Sequence, residues 1–223
     1  MELASIVLAQ ALAWIEPTEL NPTNKVFYPD LVKALVARYN FQQFPQKLED
    51  FDESKGVTFG SGRLGSSVIE RVVIYTYGIV LDTRSSTQES RRLLEEAFQW
   101  GVKELGLTYK PSMVKRWQYA SQVTFRSKMD LMAMSPAVKG LAEAMTANVG
   151  QLMGENLKYE PTALLVDYDQ LLRKHPLGRF SIQRRDNTPF SENKYFSDAP
   201  LPTDVHLKLL EQFEADLLKK PAI

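Results

Sequence analysis

Cysteine is absent from this chain of 223 residues. Its absence excludes disulfide bonds, thiolate nucleophiles and cysteine-based zinc or iron–sulfur sites. It also favours a reducing compartment, so we expect a cytoplasmic protein. Histidine is scarce as well: His175 and His206 are the only two. Chemistry that needs several imidazoles is therefore excluded, and no cofactor is expected.

The chain also lacks an excess of either charge, because Lys+Arg and Asp+Glu each number 27. A long-range field that would attract nucleic acid or an anionic membrane is therefore missing, although local patches can form. The apolar stretch Leu3–Ile15 is too short to span a bilayer, which needs about 20 residues. No basic segment precedes it as in a signal peptide. We expect a buried first strand or helix there and no membrane partner.

The clearest structural signal lies between Val68 and Gly106. Val68–Thr76 and Ile79–Thr83 are rich in β-branched and aromatic residues, which predicts a β-hairpin that turns on Gly78. Ser86 to Glu89 spells a capping box, in which each of the two side chains bonds the other residue's amide. The following helix should bury one apolar stripe: Leu93, Leu94, Ala97, Phe98, Gly101, Val102 and Leu105.

Further helices are predicted at Tyr28–Asn40, from Ser135-Pro136 onward, and at Thr203–Lys220. In the second of these, an apolar stripe from Val138 to Leu152 should be buried. A hairpin that interrupts alternating strands and helices favours a mixed, largely antiparallel sheet with several helices packed on it. We predict a single α+β domain over residues 1–223, with the hairpin at about 68–83. An irregular connector at 186–202 should precede the last helix.

Two patterns are typical of catalytic or nucleotide sites. Gly60 to Gly65 forms a G-x-G-x-x-G, but a strand-like run follows it where a dinucleotide site needs a helix, so we interpret it as a loop. Asp167 and Asp169 follow an apolar strand, and Asp186 follows the next one. Carboxylates at strand ends can hold a hard cation. These three aspartates are the metal candidates, although aspartate in such places usually forms turns.

A basic segment, residues 173–185, contains five basic residues and no acidic one: Arg173, Lys174, Arg179, Arg184 and Arg185. Together with Phe180, they resemble a strand that faces phosphate or nucleic acid. Arg184 and Arg185 are adjacent, so only one of them can join a given face of a strand. The neutral total charge favours a solvated surface over a nucleic-acid site.

Three aromatic residues, Phe190, Tyr195 and Phe196, lie in the connector without helical or strand periodicity. Such side chains either fold back on their own domain or anchor an interface, where aromatic residues are enriched. We predict an interface. The function that follows is a non-enzymatic, cytoplasmic assembly protein whose partner is itself or another protein. The alternatives are a metal-dependent phosphodiesterase or nuclease that uses the three aspartates, and a nucleic-acid- or nucleotide-binding module that uses the basic segment. The sequence decides neither for nor against catalysis.

Overall fold

The fold is known from a computed structural model that describes residues 1–155, 157–169, 171 and 177–219. Its strands are β1 (Glu2–Trp14), β2 (Val57–Leu64), β3 (Ser67–Tyr75), β4 (Gly78–Thr83), β5 (Arg116–Arg126), β6 (Ala163–Val166), β7 (Phe180–Arg184) and β8 (Lys194–Ala199). Its helices are α1 (Pro17–Leu20), α2 (Tyr28–Tyr39), α3 (Thr87–Trp100), α4 (Pro136–Met153) and α5 (Thr203–Lys219). The strands form one sheet in the order β2-β3-β4-β1-β5-β8-β7-β6. The predicted α+β class with a largely antiparallel sheet is confirmed.

The chain divides into two compact units. The first, here called the hairpin unit, comprises residues 6–121 and 200–205. The second, here called the α4 unit, comprises residues 1–5, 122–199 and 206–223. The single domain over residues 1–223 stays a prediction.

The predicted hairpin is formed by β3 and β4, which pair antiparallel from Arg71↔Asp82 to Tyr75↔Gly78. The prediction that the hairpin turns on Gly78 assumed the positive φ that tight turns demand of glycine, but Gly78 does not have a positive φ. A Cβ atom at Gly78 would lie 2.6 Å from the carbonyl oxygen of Ala13 on β1. Glycine is therefore needed here for the close approach of two strands, and the turn itself is made by Thr76 and Tyr77.

Helix α3 begins as predicted, because the Ser86 hydroxyl accepts a hydrogen bond from the Glu89 amide at 3.1 Å. The reciprocal half of the capping box is not formed. The Glu89 carboxylate instead accepts from the Ser67 hydroxyl at 2.5 Å and from Arg92 at 2.7 and 2.8 Å. A charged guanidinium is a stronger donor than the backbone amide that the motif would have used.

The buried stripe of α3 is correct for Leu93, Leu94 and Phe98 but wrong for Val102, which is exposed. After Trp100 the helix continues as a π-helical turn over Gly101–Leu105. A π turn holds more residues than an α turn. Residues beyond Trp100 therefore leave the α-helical register from which the stripe was extrapolated.

The glycine-rich segment is part of β2 rather than a loop, and it pairs with β3 from Val57↔Ile74 to Leu64↔Ser67. A Cβ atom at Gly62 would lie 2.4 Å from the Phe41 ring. Gly60 and Gly62 therefore make room for packing against the strand, whereas Gly65, with a φ of +60°, lies in the turn to β3. No helix follows them as in a dinucleotide site.

In the α4 unit, the connector at 186–202 is not irregular throughout. It contains a short 3₁₀ turn at Phe190–Glu192 and the strand β8, which pairs with β7 through Arg184↔Tyr195 and Ser181↔Asp198. The inward positions of β8 are Tyr195, Ser197 and Ala199. Ser197 is polar, and its hydrogen bonds make its burial possible. The sequence therefore does not show the alternation of apolar and polar residues that is typical of a strand.

The apolar N-terminal stretch forms a strand, which was one of the two structures expected for it, a strand or a helix. Only its second half is buried, however: Ala9, Ala11 and Ala13 are inaccessible to solvent, whereas Leu3 and Val7 are exposed. No helix in the described ranges is long and apolar enough to cross a membrane.

Candidate interaction face and binding cavity

The three metal candidates are not brought together. Across the described chain, no three His, Asp or Glu side chains are grouped so that they could hold a metal ion. Asp167 accepts a hydrogen bond from the Tyr168 amide, and Asp169 accepts one from the Leu171 amide, both at 2.9 Å. Asp186 is an exposed turn residue. These local bonds are typical of aspartates that form turns.

Arg184, a candidate phosphate ligand, is buried and fully engaged inside the α4 unit. Its Nη2 lies 2.8 Å from Asp130 Oδ1 and 3.3 Å from Glu160 Oε2. Its Nε and Nη1 donate to the carbonyl oxygens of Pro161 and Phe190 at 3.2 and 3.1 Å. Two carboxylates and two carbonyls already use donors of Arg184, so its contacts give no support to the phosphate role predicted for it.

Of the other four basic residues in the segment, the structure describes two. Arg179 and Arg185 are exposed, and among the described residues neither side chain forms a hydrogen bond or ion pair that would orient it toward a ligand. Arg173 and Lys174 lie outside the described residues, as does His175. A phosphate or nucleic-acid site in this segment stays a prediction, now without Arg184.

The three connector aromatics have different environments. Tyr195 is completely buried, and its hydroxyl donates to Asp130 Oδ1 and accepts from the Leu131 amide, both at 3.0 Å. Burial raises the pKa of Tyr195 to about 12. Tyr195 is therefore enclosed by its own unit, and its burial gives no support to the role of interface anchor predicted for it. Phe190 is exposed beneath the Arg184 guanidinium, 4.4 Å from it, and Phe196 is half-buried.

A buried serine–histidine pair occurs in the α4 unit, where Ser197 Oγ lies 2.8 Å from His206 Nε2. The same hydroxyl donates to the Ser181 carbonyl oxygen at 2.7 Å. A hydroxyl has one hydrogen, so His206 Nε2 must act as donor and cannot deprotonate the serine. The pair is thus arranged to satisfy buried polar groups, and both residues are inaccessible to solvent.

The most conspicuous surface feature of the α4 unit is α4 itself. The Ser135 hydroxyl accepts from the Val138 amide at 3.4 Å and caps the helix as predicted. None of its 18 residues is buried, so the predicted buried stripe is wrong for this chain alone. Val138, Leu141, Met145 and Leu152 are 46%, 65%, 44% and 84% exposed. We call these four residues and Val149 the α4 stripe.

The hairpin unit contains an apolar cavity of about 240 Å³ between α3, α2, the strands β3 and β4, and the segment 17–26. Its walls are mainly hydrophobic and include Leu35, Val72, Ile79, Leu94 and Phe98. Protein interiors seldom leave voids much larger than a water molecule. An apolar pocket of this size with a few polar groups is therefore a candidate ligand site.

The polar end of this cavity is formed by Tyr28 and Glu53. The Tyr28 hydroxyl is buried and accepts no hydrogen bond from the described residues, although the Glu53 carboxylate lies close enough to interact with it. Burial, together with the negative charge of nearby Glu53, raises the pKa of Tyr28 well above its usual range. A buried polar atom that lacks a good partner is costly, which makes it a natural point for a ligand to bind.

Sequence reasoning missed this cavity because its lining comes from separate segments. Glu53 lies in a polar segment between predicted elements, and Tyr28 lies at the start of a predicted helix. Each residue looks ordinary in its local context, and only the packing of α2 against the sheet brings them together. No local motif in the sequence could have signalled the pair.

Comparison with protein-family models and with curated proteins finds no match to this chain.

Proposed function

We propose that the protein is a non-enzymatic assembly protein that pairs with a second copy of itself through the α4 stripe. A cytoplasmic location remains part of this proposal, since a chain without cysteine suits a reducing compartment. The observation that carries the proposal is the composition and exposure of α4.

Helix α4 is apolar to a degree that is unusual for an exposed helix. Of its 18 residues, only Lys139 and Glu143 are charged. A helix that is largely apolar around its circumference is normally covered by other protein or by lipid. Because α4 buries none of its residues within the chain, its exposure supports a partner that covers it.

The spacing of the α4 stripe supports another copy as that partner. Its residues recur at intervals of three and four, which is the seam pattern of paired helices. An antiparallel pair centred on Met145 places Val138 opposite Leu152 and Leu141 opposite Val149 of the second copy. Every stripe residue then faces an apolar residue, as expected for a self-complementary two-fold interface.

The two charges favour the antiparallel direction over the parallel one. In a parallel pair, Lys139 would lie beside Lys139 of the second copy and Glu143 beside its counterpart, and like charges repel. In the antiparallel pair these residues lie near Gln151 and Ala147 instead. No like charges meet along the seam.

Neither alternative function has comparable support. The nuclease requires a carboxylate cluster, and Asp167 and Asp169 instead bond to nearby amides. The nucleic-acid module loses Arg184, which is held by Asp130 and Glu160.

The proposal is tested by sedimentation velocity over a wide concentration range. Wild type should show a concentration-dependent shift from monomer to dimer mass. Leu141→Glu should remain monomeric, because it places a carboxylate in the seam opposite the apolar side chain of Val149. Leu48→Glu is the matched control, since Leu48 is 93% exposed on the hairpin unit and should leave dimerisation unchanged.

A wild type that remains at the monomer mass throughout would contradict self-assembly. Dimerisation that Leu141→Glu and Leu48→Glu leave equally intact would show that a different surface mediates it. Either result would contradict self-assembly through the α4 stripe.

A further inference from the structure

We infer that the cavity of the hairpin unit binds a small organic amine, whose apolar body fills the hydrophobic walls and whose ammonium group meets Glu53 and Tyr28. This inference is independent of assembly through α4, because every residue that it uses belongs to the hairpin unit.

The volume of the cavity sets the size of the ligand. A cavity of about 150 Å³ lined by Leu, Ile and Phe is large enough to hold benzene. By the same ratio, the 240 Å³ found here suits an apolar body of roughly ten non-hydrogen atoms. Leu35, Leu94 and Phe98 present hydrophobic surface to such a body.

The charge of the cavity sets the sign of the ligand's polar group. Glu53 is the only acidic residue in the described lining, and no lysine or arginine lines the cavity. A carboxylate beside apolar walls is stabilised most strongly by a cation that donates hydrogen bonds to it. An ammonium group can donate to Glu53 and also to the oxygen of the Tyr28 hydroxyl, which accepts no hydrogen bond from the described residues.

The local backbone is consistent with a binding site. Helix α3 changes to its π-helical turn at Gly101, directly after Trp100, and both residues line the cavity. Such π turns occur often at functional sites. On the rim, Asn21 clamps the segment 17–26 by donating to the Val26 carbonyl oxygen at 2.8 Å and accepting from its amide at 3.3 Å.

The test uses three probes of similar size on the full chain, measured by isothermal titration calorimetry at neutral pH. The first is 2-phenylethylamine, the second is propylbenzene, in which a methyl group replaces the amine, and the third is phenylacetate. We expect saturable binding of the amine, at least about tenfold weaker binding of propylbenzene, and the weakest binding of phenylacetate.

Two variants assign the charge preference to a residue. Glu53→Gln should weaken binding of the amine by about tenfold to a hundredfold and leave propylbenzene unchanged, because only a charge-assisted bond is lost. Glu49→Gln is the matched control: its side chain is 74% exposed, pairs with Lys47 and does not line the cavity. It should bind all three probes like wild type.

A third variant tests whether the probes bind inside the cavity. Ala97→Phe places a ring in the cavity and should abolish binding of the amine and of propylbenzene. If its circular dichroism shows that it is unfolded, Leu35→Phe serves the same purpose. The inference is overturned if wild type binds no probe saturably, if the amine and propylbenzene bind equally, or if Glu53→Gln retains the full preference for the amine.

Discussion

Helices α3 and α4 have the same type of N-terminal cap, but they lie in opposite environments. Each has a serine N-cap, and each carries an apolar stripe in the sequence. Helix α3 buries Leu93, Leu94 and Phe98 against its own sheet, whereas α4 buries nothing.

The difference between the two helices lies in their other faces. Helix α3 carries five charged residues, Glu89, Arg91, Arg92, Glu95 and Glu96, which suit a surface that faces water. Helix α4 carries only Lys139 and Glu143. An apolar stripe therefore indicates that one face of a helix packs against other protein. The number of charged residues on the remaining faces indicates how much of the helix surface stays in contact with water. For α4, the shortage of charge points to a cover from outside the chain.

The largest effect on the free energy of unfolding should come from Arg184→Ala. This variant tests whether the rest of the α4 unit is firmly folded even though α4 itself is exposed. Removal of the guanidinium takes the cation from Asp130 and one of two cations from Glu160, which also pairs with Lys158. Breaking a fully buried ion pair from one side typically costs about 3–5 kcal/mol, and the partial exposure of both carboxylates places the loss here at about 3 kcal/mol. Urea unfolding should show this loss. An unchanged midpoint would mean that the α4 unit is loosely held, and the exposure of α4 would then carry less weight.

Leucine truncation compares the two helices directly. Leu94→Ala in α3 should lower the free energy of unfolding by about 2–5 kcal/mol, because Leu94 is almost fully buried. Leu141→Ala in α4 should cost less than about 0.5 kcal/mol in dilute solution, where its side chain faces water. At high protein concentration the cost of Leu141→Ala should grow, because it then weakens the dimer. Equal costs in dilute solution would contradict the comparison.

Removal of the N-caps gives a smaller contrast. Ser86→Ala should cost about 1 kcal/mol, since the hydroxyl accepts from the Glu89 amide at 3.1 Å. Ser135→Ala should cost less, because its bond to the Val138 amide is longer, at 3.4 Å, and exposed. Thermal unfolding of the two variants, measured side by side, checks the order. A larger loss in Ser135→Ala would reverse it.

The last contrast concerns the pH dependence of stability. Hydrogen bonds from Arg92 and Ser67 lower the pKa of Glu89 from 4.5 to about 2, although burial alone would raise it. The stabilisation is therefore fully present above pH 4.5 and is lost as the pH falls toward 2. Glu89→Gln should flatten this part of the stability profile. Glu143→Gln, on exposed α4, should leave the profile unchanged, and a flattened profile there would argue against the assignment.

The sequence predicted what depends on local pattern and missed what depends on distant partners. The hairpin, the start of α3 and both serine caps follow from neighbouring residues, and all are present. Strand β8 was missed because Ser197 occupies an inward position that its bonds to Ser181 and His206 make tolerable. Those partners lie on other elements.

The candidate sites were harder to predict for the same reason. Arg184 looked like a surface cation because nothing local indicates that Asp130 and Glu160 will enclose it. The α4 stripe was found, but its amphipathic pattern is the same whether the cover is the chain itself or a second copy. The Tyr28–Glu53 end of the cavity depends on the packing of two segments and has no local pattern.

The central claim, that α4 stays uncovered by its own chain and pairs antiparallel with a second copy, is tested most directly by disulfide trapping. The chain has no cysteine, so single cysteines can be placed without background. Under mild oxidation, Met145→Cys should form a disulfide-linked homodimer, because the two copies of residue 145 face each other. Val138→Cys and Leu152→Cys should cross-link when mixed but not alone, and Leu48→Cys should not cross-link. Efficient cross-linking of Val138→Cys and of Leu152→Cys each with itself would contradict the antiparallel pair, and the absence of any α4 cross-link would contradict the claim itself.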